Sequence, residues 1–562
     1  MAHSPQTIAT FFTATVAKRG DEPALGFIRE EKLNWHSWRE VADDAANCAA
    51  AIRANGVQPG DRVAHVSENR YEWIIADLAI QMAGAIHVPV HAPLTGPQIA
   101  WQIAHSRAKV AFLSGSEQAA KLSRLGDAAP RGVKWVAYDA CDEQIAGDKI
   151  VLLADIQAAA NLEPGIEVAC HMRQTIAADS LITILYTSGT TGEPKGVMLT
   201  QGNLASNACA TVEAFGYLPD QTRVNFLPLS HIFARTCDLY CWIAEGSRMA
   251  IAESRETVIA DCQAVRPTYL NGVPYFFDRV YRGLCEKKVQ DVPGALKMAL
   301  GGAIAKCCAG GAALPGHLYD YYHAQGVPLL QGYGLSESSP VITLSTPTHH
   351  RRGSCGRAIP GIELKIADDG EIVTRGPHVM QGYYEDPAAT APVLKDGWLL
   401  TGDIGHLDND GFLFITGRKK EILVTSSGKN IAPVYLESLL TQDPLILQAM
   451  VVGDGRSCLA ALIVPNPDAL RAEIVERGIT VTTPEKALVH PDVVALYRER
   501  IDQRLSCVSH HEQVRRFALL SRGFSIEAGE LTPKLSLRRK EIESHFHDEI
   551  EAMYAGKETH RA

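Results

Sequence analysis

Residues 62–90 read RVAHVSENRYEWIIADLAIQMAGAIHVPV. The spacing predicts a strand over Arg62–Val66, a helix over Tyr71–Ala83 and a second strand over Ala85–Val90. Two short strands joined by a helix form a β-α-β unit, which requires a parallel sheet covered by helices. Upstream lies WHSWREVADDAANCAAAIRANG, residues 35–56. Ser37 and Glu40 have the spacing of a capping box, which satisfies free amides at a helix start. Val41, Ala45, Cys48, Ala49 and Ile52 fall on one helical face, and Asn55-Gly56 ends the helix. Downstream the alternation continues, with short apolar runs at Val110–Leu113 and Leu181–Tyr186. No fixed-period repeat is present.

The texture changes near Gly353. Short strands and turns run to Ile415, with Asp369-Gly370 and Asp410-Gly411 as hairpin dipeptides. After Arg418 comes a smaller mixed unit with a helix from Val434 and a charged helix at its end. The expected class is therefore α/β. A large N-terminal domain of α/β layers with a β-rich subdomain, residues 1–418, precedes a small mobile α+β domain, residues 419–562. The Arg538-Arg539-Lys540 run reads as a solvated helix face.

With 562 residues the chain can bury large cores without covalent staples. Hydrophobic residues make up 46% and charged residues 21%, which excludes wholesale disorder and coiled coil. Lys+Arg 54 against Asp+Glu 64 leaves −10, which argues against nucleic acid as a partner. The 13 cysteines are scattered with no C-x-x-C, as in reduced thiols of a cytoplasmic enzyme. No secretory leader is expected from MAHSPQTIATFF. Trp73–Val90, the most apolar long stretch, is interrupted by Asp77, Gln81, Gly84 and Pro89, so a spanning helix is not expected.

The strongest local signal is LYTSGTTGEPKG, residues 185–196. A buried strand runs into Thr187, Ser188, Gly189, Thr190, Thr191 and Gly192, and a single Lys195 follows. Glycines let backbone amides approach phosphate oxygens, hydroxyls donate further bonds and the lysine supplies charge. The loop is not a Walker A motif, since Gly196 follows Lys195, and Gly453-Asp-Gly455 lacks the third glycine of a dinucleotide fingerprint. Without a ligand, such a loop would be a surface turn.

This loop resembles the phosphate-binding signature of the adenylate-forming superfamily. Further segments agree in that family's order: LPLSHIFAR (227–235), GVPYFFDRVY (272–281), AGGAAL (309–314), QGYGLSESSP (331–340), GYYEDPAAT (382–390), DGWLLTGDIG (396–405) and ITGRKKEILVTSSGKNIAP (415–433). The wording of the last two is most similar to long-chain fatty acyl-CoA synthetases. The resemblance implies a two-step reaction. A carboxylic acid, expected to be a medium- to long-chain fatty acid, and Mg–ATP give acyl-adenylate and pyrophosphate. The thiol of coenzyme A then gives the thioester and AMP. Peripheral association with a membrane stays open.

By the same resemblance Glu337 ligates Mg²⁺, and Tyr333 lies against adenine with Gly311, Ala312 and Gly334 bringing backbone near. Asp403 holds the ribose, Arg418 assists there, and Ser336 meets phosphate. Gly428 and Lys429 contribute to cofactor binding. The C-terminal domain turns about Lys420. Apart from the resemblance, the spacing of His231 to Cys237 and Cys241 fits no zinc site, so it reads as a pocket-wall or substrate-proximal histidine. The family's C-terminal catalytic lysine falls, without a gap, on Ser536, whereas this chain carries Lys534 two residues earlier. Two alternatives stand beside this reading: transfer to a carrier-protein thiol, or a weakly catalytic nucleotide-binding protein.

Overall fold

The computed structural model describes residues 7–29, 32–158, 165–187, 193–218, 220–426, 428–525, 527–531 and 537–555. The β-α-β unit is present as strand Arg62–Val66, helix Tyr71–Met82 and strand Ile86–Val90, with Val63 opposite His87 in parallel register. The unit sits in an eight-stranded sheet, in the order 382–383, 195–200, 181–187, 86–90, 62–66, 110–113, 134–137, 151–152. Strands from 181–187 to 151–152 run parallel, and the other two add an antiparallel edge. The capping box at Ser37 and Glu40 forms, and Val41, Ala45, Cys48, Ala49 and Ile52 are buried as one face of helix Trp38–Ala54.

A second, nine-stranded sheet follows the order 357–358, 341–344, 329–334, 306–309, 269–272, 222–225, 248–251, 23–29, 32–37. Its central strands are parallel, so their C-terminal ends open on one edge. Ligands of open α/β sheets bind at such edges. A β-rich piece built on strands 363–366, 371–375, 394–395, 398–407 and 413–418 follows. Both Asp-Gly dipeptides turn hairpins there, with Gly370 and Gly411 left-handed.

The C-terminal part is a three-stranded sheet of 446–452, 459–465 and 514–519. Its alternate residues enter two cores: Val451, Ala461 and Ile463 face helices 433–440 and 491–504, and Met450, Leu462 and Val464 face helices 539–545 and 547–554. These cores share no buried residue with those of the α/β layers. Arg539 departs from the expected solvated face. It donates to the buried Glu437 at 2.6 Å and to Val451 O, tying the terminal helix to the other side of the sheet. All thirteen cysteines are free thiols, seven of them buried. Among the described residues, no helix is long and apolar enough to cross a membrane.

Candidate active site

The glycine-rich loop leaves strand Leu181–Thr187 and returns as strand Lys195–Thr200, with Thr187 and Lys195 paired in antiparallel register at its base. Ser188, Gly189, Thr190, Thr191 and Gly192 lie outside the described residues. The pairing holds Lys195 as the first residue of a strand. Behind it, the Tyr186 hydroxyl is 2.7 Å from His105 Nδ1, and Trp101 stacks on that histidine.

Tyr383, in the edge strand beside 195–200, connects two predicted residues. Lys195 Nζ lies 4.9 Å from the Tyr383 ring centroid, a cation–π contact. The Tyr383 hydroxyl donates to Glu337 Oε1 at 2.8 Å. Burial and then the Glu337 carboxylate push this hydroxyl far above its ordinary range, so it remains a donor. Glu337 sits in the single turn Ser336–Ser338 at the end of strand Leu329–Gly334, and its backbone oxygen accepts from Met380 N at 2.9 Å. Ser336 begins that turn. Gly334 is required just before it, because a Cβ there would lie 1.7 Å from Pro340 O.

A second group converges on Asp403. Tyr333 donates its hydroxyl to Asp403 Oδ2 at 2.8 Å, and Arg418 Nε lies 3.1 Å from Oδ1. Asp403 and Arg418 are register partners in an antiparallel pair, which sets that contact. Burial raises the Asp403 carboxyl against the pull of Arg418. Each carboxylate oxygen retains acceptor capacity for a further hydroxyl. Gly311 follows strand Lys306–Ala309 with φ +79, and its missing Cβ faces open space beside Val273, so backbone and Ala312 border an accessible region.

Lys420 is exposed in the short turn Lys419–Glu421, whose Lys419 pairs with Asp369 and Glu371. Gly428 and Lys429 close the small hairpin between 423–424 and 430–431 and are exposed. Lys534 and Ser536 lie outside the described residues. His231 caps helix Ile232–Ala234, its Nδ1 accepting from Phe233 N at 3.3 Å. The Phe233 ring packs where a Cβ on Gly310 would be 2.9 Å away.

A divalent cation fits this donor set. Glu337 offers one hard carboxylate at the loop's mouth. Among the described residues, no group of three or more His, Cys, Asp or Glu side chains could hold a metal on protein ligands alone. That suits Mg²⁺ shared with polyphosphate oxygens and water. Sequence reasoning missed Tyr383. The motif GYYEDPAAT was visible, but only the strand pairing shows which tyrosine stands between lysine and carboxylate.

The chain matches two family models, AMP-binding enzyme over residues 12–384 and AMP-binding enzyme C-terminal domain over residues 420–558. It is 33% identical over 561 residues to the long-chain-fatty-acid–CoA ligase FadD15 of Mycobacterium bovis, covering 92% of this chain and 91% of the relative. The long-chain-fatty-acid–CoA ligase ACSBG1 of Rattus norvegicus is 28% identical, covering 98% and 86%. Among solved structures, the anthranilate CoA ligase AuaEII in complex with anthranoyl-AMP superposes with a TM-score of 0.77 at 18% identity, covering 97% and 98%. The o-succinylbenzoate CoA synthetase of Bacillus subtilis with its acyl-adenylate intermediate gives 0.71 at 21% identity, covering 96% and 98%.

Proposed function

Because the chain belongs to the AMP-binding enzyme family, we propose that it activates a medium- to long-chain fatty acid and transfers it to coenzyme A. The activity class is an AMP-forming acyl-CoA ligase with ATP, Mg²⁺ and coenzyme A. The fatty-acid reading is supported by the naming of the relatives as long-chain-fatty-acid–CoA ligases.

The observation that carries the reading is the meeting of Lys195 and Glu337 on Tyr383, where the loop edge of one sheet meets the strand ends of the other. In the first step the acid's carboxylate attacks the α-phosphorus of ATP and pyrophosphate leaves. Negative charge grows on the phosphoryl oxygens, so fixed cations and amide donors there lower the barrier. Thr187, Ser188, Gly189, Thr190, Thr191, Gly192 and Lys195 hold the triphosphate, and Ser336 reaches phosphate. Glu337 would hold Mg²⁺, which supplies charge neutralisation to the phosphates. Tyr333, with the backbone of Gly311, Ala312 and Gly334, receives adenine. Asp403 with Arg418 receives the ribose hydroxyls. In the second step the coenzyme A thiolate attacks the acyl carbon and AMP leaves, and Gly428 and Lys429 border the cofactor. Carboxylate-dependent ATP–pyrophosphate exchange tests the first step. Fatty acids should drive exchange, and exchange independent of any acid would overturn the proposal.

The same reading divides the chain into residues 1–418 and 419–562, with Lys420 at the hinge. Lys420→Pro fixes φ and removes a donor. It should impair adenylation and thioester formation unequally, and equal loss in both with the fold intact would count against the hinge.

A further inference from the structure

The chain after His231 widens into a π-helical turn over Arg235–Tyr240, between helices Ile232–Ala234 and Cys241–Glu245. Such turns are rare and recur at functional sites. Its polar side chains are all buried, and they reach three different parts of the molecule. Arg235 donates to Asp77 Oδ1 at 2.6 Å and to Thr183 Oγ1 at 2.7 Å. Thr183 belongs to the strand that enters the phosphate loop, so this end is fixed to the eight-stranded sheet. Asp238 accepts from Asn225 at 2.8 Å and from Asn271 at 2.6 Å, on strands of the nine-stranded sheet. Between them, Thr236 Oγ1 donates to Ser339 O at 2.9 Å.

Ser339 is the residue directly after the turn that carries Glu337. It stands in the left-handed region at φ +71, where a side chain is strained. A residue held there persists because its surroundings over-determine it. Ser339 Oγ donates to His378 O at 2.8 Å, and Thr236 supplies the contact on the carbonyl side.

We propose that Thr236 is a positioning residue for Glu337: the π-turn, locked to both sheets by Arg235 and Asp238, uses the Thr236 hydroxyl to fix the carbonyl of Ser339 and so the place of the carboxylate. This inference rests on the metal role proposed for Glu337. Thr236 acts through the backbone two residues beyond Glu337, whereas the Tyr383 hydroxyl bonds the carboxylate directly, and outer partners of this kind tune the affinity of a metal site.

Thr236→Val keeps the shape and deletes the donor, and Thr236→Ser keeps the donor. The reading is the affinity of the full-length protein for a non-hydrolysable ATP analogue, with and without Mg²⁺, by titration calorimetry. Thr236→Val should lose about tenfold of the gain that Mg²⁺ gives, with divalent-free affinity unchanged, and Thr236→Ser should restore the gain. An unchanged gain in Thr236→Val, an equal loss without the cation, or failure of Thr236→Ser to restore would overturn the inference. If Thr236→Val does not fold, Thr236→Ala, which also deletes the donor, takes its place with the same outcomes. Glu337→Gln separates the two readings. If it keeps the full gain, the metal role of Glu337 is wrong. If it abolishes the gain while Thr236→Val does not, only the positioning role is wrong.

Discussion

Lys534→Ala is expected to slow acyl-adenylate formation by about two to three orders of magnitude, while thioester formation from pre-made acyl-adenylate stays close to wild type. The charge of a lysine lowers a barrier only where charge develops, and that is at the phosphate in the first step. The described residues on either side of Lys534 show a well-anchored base. Leu531 and Leu537 pair as an antiparallel bridge, and Arg538 N donates to Glu530 O at 2.8 Å. Glu530 is buried, takes both terminal nitrogens of Arg522 and lies 2.9 Å from His545 Nδ1. Arg522 above all, with His545 and Ser525 N, holds its carboxyl down at about 2 against burial. The chain already carries a cation in this segment at Lys534, whereas position 536 is a serine. Ser536→Lys should therefore add nothing. If Lys534→Ala is harmless and Ser536→Lys speeds adenylation, the assignment is wrong.

Asp77→Ala should cost about 3–5 kcal/mol of folding stability, because it leaves the Arg235 guanidinium buried without its carboxylate. Both side chains are fully buried. Asp77 also lies 2.6 Å from His87 Nδ1, and His87 Nε2 is 3.1 Å from His65 Nδ1. Burial pushes the Asp77 carboxyl up, but Arg235, His87 and Tyr240 outweigh it and hold it at about 2. Burial, then Arg235, lowers His87 from 6.5 to about 4, and burial with His87 lowers His65 as well. The unfolded chain thus takes up protons near pH 6.5 that the folded chain refuses. Stability should fall as pH falls from about 6.5 toward 4, by about 1.4 kcal/mol at pH 5.5 for His87 alone, with His65 adding in the same direction. Asp77 adds its own loss only below about pH 4. Denaturant unfolding at pH 7 and 5.5 checks this, and equal stability at the two values would contradict it. His65→Gln should remove one proton from the slope, leaving those of His87 and of His378, which burial also lowers to about 4.

The sequence made much of this architecture legible, and its misses share a cause. Strands Arg62–Val66 and Val110–Leu113 match their apolar runs because buried parallel strands are short and continuous. Helix Trp38–Ala54 was readable from one cap and one face. The site was readable as an ordered set of motifs, and the structure brings Tyr333, Asp403 and Arg418 together, and Lys195 and Glu337 through Tyr383. What escaped is burial of polar and charged groups. Asp77 and Gln81 interrupt an apolar stretch in sequence, yet both are buried and satisfied by Arg235 and Gln201, which lie more than a hundred residues away. Arg539 looks like a solvated base until Glu437 is found beneath it. Such pairs depend on contacts distant along the chain, and no local period reports them.

The most direct test of the central claim is product formation by the wild-type protein with ATP and Mg²⁺, across fatty acids of graded length and a set of aryl acids, with and without coenzyme A. The account predicts that medium- to long-chain fatty acids give acyl-CoA, AMP and pyrophosphate in equal amounts, and that without coenzyme A the reaction stops at bound acyl-adenylate. Preference for aryl acids, or adenylate formation with no acyl-CoA when coenzyme A is supplied, would contradict it.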